Sequence, residues 1–127
     1  MKYLLDTHAI IWLIEDSSKM PSEIKEIVKL PENDIFICSV SFWEIVIKMS
    51  LGKLSIGLPF DELLAHVKNS DIIILHIEDS YLKRLFELPF LHKDPFDRLI
   101  VSTAQADDLT IITIDDNIQK YDVSWVW

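Results

Sequence analysis

The sequence has one cysteine, no long apolar run, and few basic side chains. With Cys38 as its sole thiol, the chain has no disulfide framework available. Its longest apolar stretches, such as Asp71-Ile-Ile-Ile-Leu-His-Ile77, are interrupted by charged or polar residues. They fall far short of the ~20 residues that cross a bilayer. At the amino terminus an acid, Asp6, stands where a signal peptide would continue its apolar stretch, and no small-residue cleavage site follows. The expectation is therefore a cytoplasmic protein without a membrane partner. Twelve Lys and Arg against 21 Asp and Glu give a formal net charge of −9. Such a deficit of cations argues against phosphate-rich partners, which are normally held by clustered Lys and Arg. The argument weakens where acids are gathered around divalent cations, because the ions then invert the local field.

Half of the 127 residues are apolar, enough for one hydrophobic core without staples. Repeats, linkers and low-complexity segments are lacking, so residues 1–127 read as a single domain. Residues 2–6 form a short apolar run ending in an acid, and 9–14 continue apolar, which parses as strand then helix. Ser22 is an expected N-cap for a helix to about residue 30. Residues 34–38 form a second strand that leads through Ser39 into a helix ending near Gly52, a C′ glycine. Pro59 opens a helix to about Lys68, Ile72–Ile77 reads as a buried strand, and Glu78–Leu88 as a further helix. Asp94-Pro95 has the form of an N-cap followed by proline at the first helical position, starting a helix to about Ala106. Thr110–Ile114 is a β-branched strand, and Val123–Trp127 adds a last one. This alternation predicts an α/β fold with a mostly parallel sheet covered on both faces. In such sheets ligands lie beyond the carboxyl ends of the strands, where Asp6 and Asp115 fall.

Four acids are embedded in apolar text: Leu5-Asp6-Thr7, Trp43-Glu44-Ile45, Phe96-Asp97-Arg98 and Ile114-Asp115-Asp116. If they converge, each pair at about 5 Å repels by roughly 3 kcal/mol at an effective dielectric near 20. Bound cations or shared protons are then required. Oxygen ligands favour Mg²⁺ or Mn²⁺, which neutralise charge developing on phosphate, so phosphodiester hydrolysis is the matching reaction class. Each acid also has a structural reading. Ser41-x-x-Glu44 matches a capping box, and Glu44 makes an i,i+4 pair with Lys48. Asp97 complements a helix dipole, and Asp6 and Asp115 serve as strand-end turn formers. Only the convergence of all four is left unexplained by those readings.

The strings Leu4-Leu5-Asp6-Thr7-His8, Ser41-Phe-Trp-Glu44-Ile-Val-Ile-Lys48, His92-Lys-Asp-Pro-Phe-Asp97-Arg98-Leu and Thr113-Ile-Asp115 resemble, in order, the successive motifs of PIN domains. The similarity is greatest to the small proteins grouped with VapC-type toxins of toxin–antitoxin pairs. The resemblance implies a Rossmann-like α/β/α sandwich and endoribonuclease activity. It further implies Mg²⁺ or Mn²⁺ held by Asp6, Glu44, Asp97 and Asp115, a homodimer, and an antitoxin partner that inserts a basic side chain into the acidic cleft. Thr7 and Thr113 match positions that support the acids with hydroxyls, and Asp116 reads as a flank.

His8 and His92 are read as structural hydrogen-bonders rather than as part of the chemistry. Lys48, Lys93 and Arg98 are candidates for contact with RNA backbone, against the ordinary reading of solvated charges. Trp12, Trp43, Trp125 and Trp127 are expected in the core or at an interface. Two other functions share parts of the pattern. Aspartyl-phosphate phosphohydrolases need a second acid two residues after the nucleophile, where this chain has His8. A receiver-like phospho-acceptor module needs adjacent acids after its first strand and an acid after the second, where this chain has Asp6 alone and Ser39. A PIN fold kept only for protein binding would not need the intact quartet.

Overall fold

A computed structural model describes residues 1–127. The order is β1 (Lys2–Leu5), α1 (Thr7–Ile14), α2 (Ser22–Lys29), β2 (Asp34–Cys38), α3 (Ser39–Ser50), α4 (Phe60–Lys68), β3 (Ile73–Leu75), α5 (Asp79–Glu87), α6 (Pro95–Asp107), β4 (Thr110–Ile112), α7 (Asp116–Gln119) and β5 (Trp125–Val126). The five strands form one sheet in the order β3-β2-β1-β4-β5. Every neighbouring pair is parallel, so the sheet is wholly rather than mostly parallel. The chain moves outward from β1 to β3 and then returns to place β4 on the other side of β1. The switch point therefore lies between β1 and β4, the place beyond the strand ends where parallel sheets of this kind bind ligands.

Side chains alternate across the strands and divide the core in two. Tyr3, Leu5, Ile35, Ile37 and Ile112 pack with Ile10 of α1, Ile24 of α2, Ile45 of α3 and Leu63 of α4 on one face. Leu4, Ile111 and Cys38 pack with Tyr81 of α5, Ile100 and Val101 of α6 and Ile118 of α7 on the other. This is the α/β/α sandwich expected.

Local details differ from the sequence reading in three places. Pro21, not Ser22, is the N-cap of α2, and no side chain caps that helix. β3 is an edge strand with Ile73 44% exposed, not a buried one. The short α7 is an addition: at four residues it is too brief for periodicity to reveal. Gly52 does take the left-handed conformation of a C′ residue, φ 68°, and the Lys53 and Leu54 amides turn back to the Lys48 carbonyl.

Candidate active site

Asp6 is the single residue between β1 and α1 and caps the helix, its Oδ1 accepting the Ala9 amide at 2.8 Å. Its Oδ2 accepts the Thr113 hydroxyl at 2.5 Å. Burial pushes the Asp6 carboxyl up to about 6, against the opposing effects of those two bonds and of His8, and Asp115 adds to the rise. The same Thr113 hydroxyl accepts the Asp115 amide at 2.9 Å, so one side chain ties together the acids that follow β1 and β4. Asp115 in turn caps α7 through a 2.8 Å bond from the Asn117 amide. The turn-forming readings of Asp6 and Asp115 are thus true of one oxygen each. Asp116 is exposed, as a flank should be.

Glu44 is 2% exposed. α3 begins at Ser39 with Cys38 at its N-cap and no capping side chain, so the capping-box reading of Ser41 and Glu44 falls. Instead Glu44 Oε1 accepts the Thr7 hydroxyl at 2.6 Å. Thr7 has one hydroxyl proton, and the carboxylate claims it; the 3.0 Å contact between Thr7 and Ser41 must then be donated by Ser41. Glu44 Oε2 accepts Lys48 Nζ at 2.5 Å. Burial opposes the charge on Lys48, but the Glu44 bond and the fields of Glu44, Asp94 and Asp97 outweigh it and raise the ammonium above its usual range. Lys48 is therefore an internal counter-cation of the acids rather than a solvated helix-end charge.

Asp97 lies in the first turn of α6 with its side chain 13% exposed. Its carboxyl is pushed up to about 8, first by burial and then by Asp94, Asp115, Glu44 and Asp6. A helix N-terminus should favour a carboxylate, so its own helix does not explain the rise; burial and then the neighbouring acids do. The fold brings all four expected acids within mutual electrostatic reach and adds a fifth.

That fifth acid, Asp94, was legible only as an N-cap. Its Oδ1 does accept the Phe96 and Asp97 amides at 2.9 and 3.0 Å. It also faces Asp97 together with His92, whose Nε2 lies 3.5 Å from Asp97 Oδ2. The ligand atoms of His92, Asp94 and Asp97 all lie within 4.8 Å of one another, a tighter trio than any drawn from the expected four. Asp6, Glu44 and Asp115 each commit an oxygen to a backbone amide, a hydroxyl or Lys48. The donors are carboxylate oxygens with one imidazole, and negative charge exceeds what Lys48 can balance. A hard divalent cation fits that set.

Other expectations are corrected here. Arg98 is 9% exposed and turned into the protein, so it is no RNA contact; Lys93 does face solvent. Trp43 is 61% exposed, edge-on to Phe96 at 5.3 Å, and Trp125 is 44% exposed. Neither is core, whereas Trp12 and Trp127 are half-buried and meet at 5.5 Å. A concavity of about 420 Å³, lined by Leu13, Val28, Ile35 and Ile72 among others, contains none of the acids.

Comparison with known proteins supplies the remaining context. The family described as PIN domain matches residues 3–124. Among solved structures, VapBC2 from Rickettsia felis, bound to a DNA fragment from its promoter, matches at 20% identity with a TM-score of 0.72 over 99% of this chain and 98% of that one. VapBC-1 from nontypeable Haemophilus influenzae matches at 19% identity and TM-score 0.70, over 99% and 97%. FitAcB from Neisseria gonorrhoeae matches at 19% and 0.67, over 98% and 96%. Comparison with curated proteins gives no match.

Proposed function

The chain belongs to the PIN domain family, and from that premise we propose that it is a metal-dependent endoribonuclease, the toxin of a VapBC-type pair. The observation that carries this reading is the state of Asp97. A carboxyl held up at about 8, first by burial and then by the acids around it, and set in a tight trio with His92 and Asp94, marks a site short of positive charge. Asp6, Glu44, Asp97 and Asp115 would hold Mg²⁺ or Mn²⁺, with Asp94 and His92 beside them. When bound, such an ion neutralises charge that develops on a phosphodiester as it is cleaved.

The chain's own groups prepare the site. Thr113 fixes Asp6 and Asp115 relative to one another, and Thr7 sets the Glu44 carboxylate. Lys48 offsets part of the acidic charge until a cation enters. Asp97 holds a proton near neutrality that it would have to give up to serve as a ligand, which would couple ion binding to proton release.

Further parts of the reading concern partners. Toxin–antitoxin complexes are among the proteins of like fold, including one from Klebsiella pneumoniae. An antitoxin that places Arg or Lys among these acids would compete with the ion for the same carboxylates. Leu82, Phe86, Phe90 and Leu91 are exposed on α5 and the segment after it, Phe86 by 93%. A second copy of the chain would cover them, giving a homodimer of single-domain protomers spanning residues 1–127. No helix is long and apolar enough to cross a membrane, in keeping with the proposed cytoplasmic site of action.

The test is incubation of mixed RNA with the protein in EDTA, Mg²⁺ and Mn²⁺, with Asp97→Asn as control. Internal cleavage that requires the ion and is lost in the variant supports the reading. Cleavage unaffected by EDTA, or none under any condition, refutes it.

A further inference from the structure

Arg98 is a buried cation with no carboxylate within ion-pair distance. Its guanidinium donates instead to backbone carbonyls, Pro89 O at 3.0 Å and, at the long limit, Leu88 O at 3.5 Å. A third bond reaches the Tyr121 hydroxyl at 3.1 Å, and the Phe90 ring covers the guanidinium at 4.5 Å. Tyr121 is 5% exposed. Its hydroxyl accepts the His92 amide at 2.9 Å and lies 3.4 Å from the His92 carbonyl.

These contacts fall on one irregular segment, Leu88–His92, between α5 and α6. Only the Leu88 and Leu91 amides of that segment find backbone partners. Backbone groups turned from water must be paired somewhere, and the Leu88 carbonyl and His92 amide, which find no backbone partner, meet Arg98 and Tyr121 instead. A buried charge held by two carbonyls, a hydroxyl and an aromatic ring, with no carboxylate partner, is an expensive way to close a loop. What the arrangement secures is the far end of the segment, where His92 meets Asp97 at 3.5 Å.

We propose that Arg98 and Tyr121 are positioning residues, which clamp the Leu88–His92 segment so that the His92 imidazole stands against Asp97 and completes the cation-binding face. The inference rests on the metal-dependent reading above and adds to it two residues, Arg98 and Tyr121, that no strand-end acid pattern would suggest. Arg98 and Tyr121 act on the ion only through His92. Orienting groups of this kind typically change metal affinity or activity by about 10–100-fold.

Tyr121→Phe is the variant of choice, since it keeps the ring in the core and removes only the hydroxyl; Arg98→Met risks unfolding the segment. In the metal-free protein, the His92 ring signal in NMR should move toward that of a mobile histidine in Tyr121→Phe. An unchanged signal overturns the clamp. Mn²⁺ affinity, measured by calorimetry, should fall about 10–100-fold in Tyr121→Phe and in His92→Ala. The double variant should be no weaker than His92→Ala, because the two act as a unit. Equal losses from Tyr121→Phe with and without His92, or no loss, also overturn the inference. In RNA cleavage the same variant should lower kcat and leave KM unchanged. If the wild type binds Mn²⁺ with this pattern but cleaves no RNA, the ribonuclease reading fails and the clamp stands.

Discussion

Thr113 and Asp6, 107 residues apart in sequence, share a 2.5 Å hydrogen bond at the point where β1 and β4 end. Thr113 is fully buried, and its hydroxyl also accepts the Asp115 amide. Thr113→Val keeps the shape and removes both bonds. The Asp6 carboxyl loses its strongest opposing influence and should rise above about 6. At neutral pH the variant should be less stable by about 1–3 kcal/mol, the cost of a buried acceptor left unsatisfied. Urea denaturation checks this, and the deficit should shrink near pH 4, where Asp6 is protonated. A deficit that persists unchanged at low pH would assign the loss to packing alone.

Lys48 is the one cation bonded within the acidic cluster, with Nζ on Glu44 Oε2. Lys48→Met leaves Glu44 buried and unpaired. Removing one member of a buried pair costs about 3–5 kcal/mol. Lys48 is 32% exposed, and solvent screening reduces the expected loss to about 1–3 kcal/mol in EDTA. Mn²⁺ should bind the variant more tightly than the wild type, since the ion no longer shares its field with an ammonium. Thermal melts with and without Mn²⁺ measure both effects. Weaker Mn²⁺ binding would mean that Lys48 supports the ion instead of substituting for it.

The four acids stand out in the sequence because a charged residue just past an apolar strand, or within the first turns of an apolar helix, interrupts an apolar run, and the structure brings the other three within electrostatic reach of Asp97. Strand-to-helix alternation likewise identified the sheet. Arg98 was misread for the opposite reason. It follows Asp97 as one of two adjacent charges, yet α6 is buried from Arg98 through Ala104, and linear sequence does not reveal that a helix is covered on nearly every side. Asp94 was hidden by its own capping role, which the structure confirms while also turning it toward Asp97. His92 depends on contacts with Tyr121, 29 residues away, which no local pattern records. β3 was taken as buried because an apolar run does not distinguish an edge from a central strand.

Stability should depend on pH in opposite senses with and without the ion. The carboxyls of Asp6 and Asp97 lie at about 6 and about 8 in the folded chain, both above the ordinary value of 3.8. A raised carboxyl favours folding while protonated. The contribution of these two is full below about pH 4, then lost as pH rises through 6 and through 8. In EDTA the unfolding free energy from urea titrations should therefore fall between pH 5 and pH 9, by an amount of order a few kcal/mol. With saturating Mn²⁺ the trend should flatten or reverse, because carboxylates bind the ion only when deprotonated. Parallel curves in the two conditions would show that these acids do not hold the ion.

Asp97→Asn separates the metal-site reading from the structural one most directly. Near pH 7 the wild-type carboxyl, at about 8, is mostly protonated, and asparagine is close to it in shape and charge. Folding at that pH makes the wild type take up a proton that the variant never needs, so in EDTA the two should match only near pH 4, and the variant should exceed the wild type at pH 7 and more so at pH 9. Above pH 8 the wild type must ionise Asp97 among its neighbours, at roughly 1–3 kcal/mol for each close pair at an effective dielectric near 20. A dipole role predicts the reverse at pH 9, with the variant weaker by ~0.3–1 kcal/mol for the lost helix-terminal charge. Mn²⁺ adds a second axis. A ligand that binds only the native state stabilises in proportion to its occupancy, so the wild type should gain several degrees in Tm and the variant much less. Cleavage of RNA should fall with the same substitution. If the variant is weaker than the wild type at pH 9 in EDTA and responds to Mn²⁺ equally, Asp97 serves the helix and not the ion.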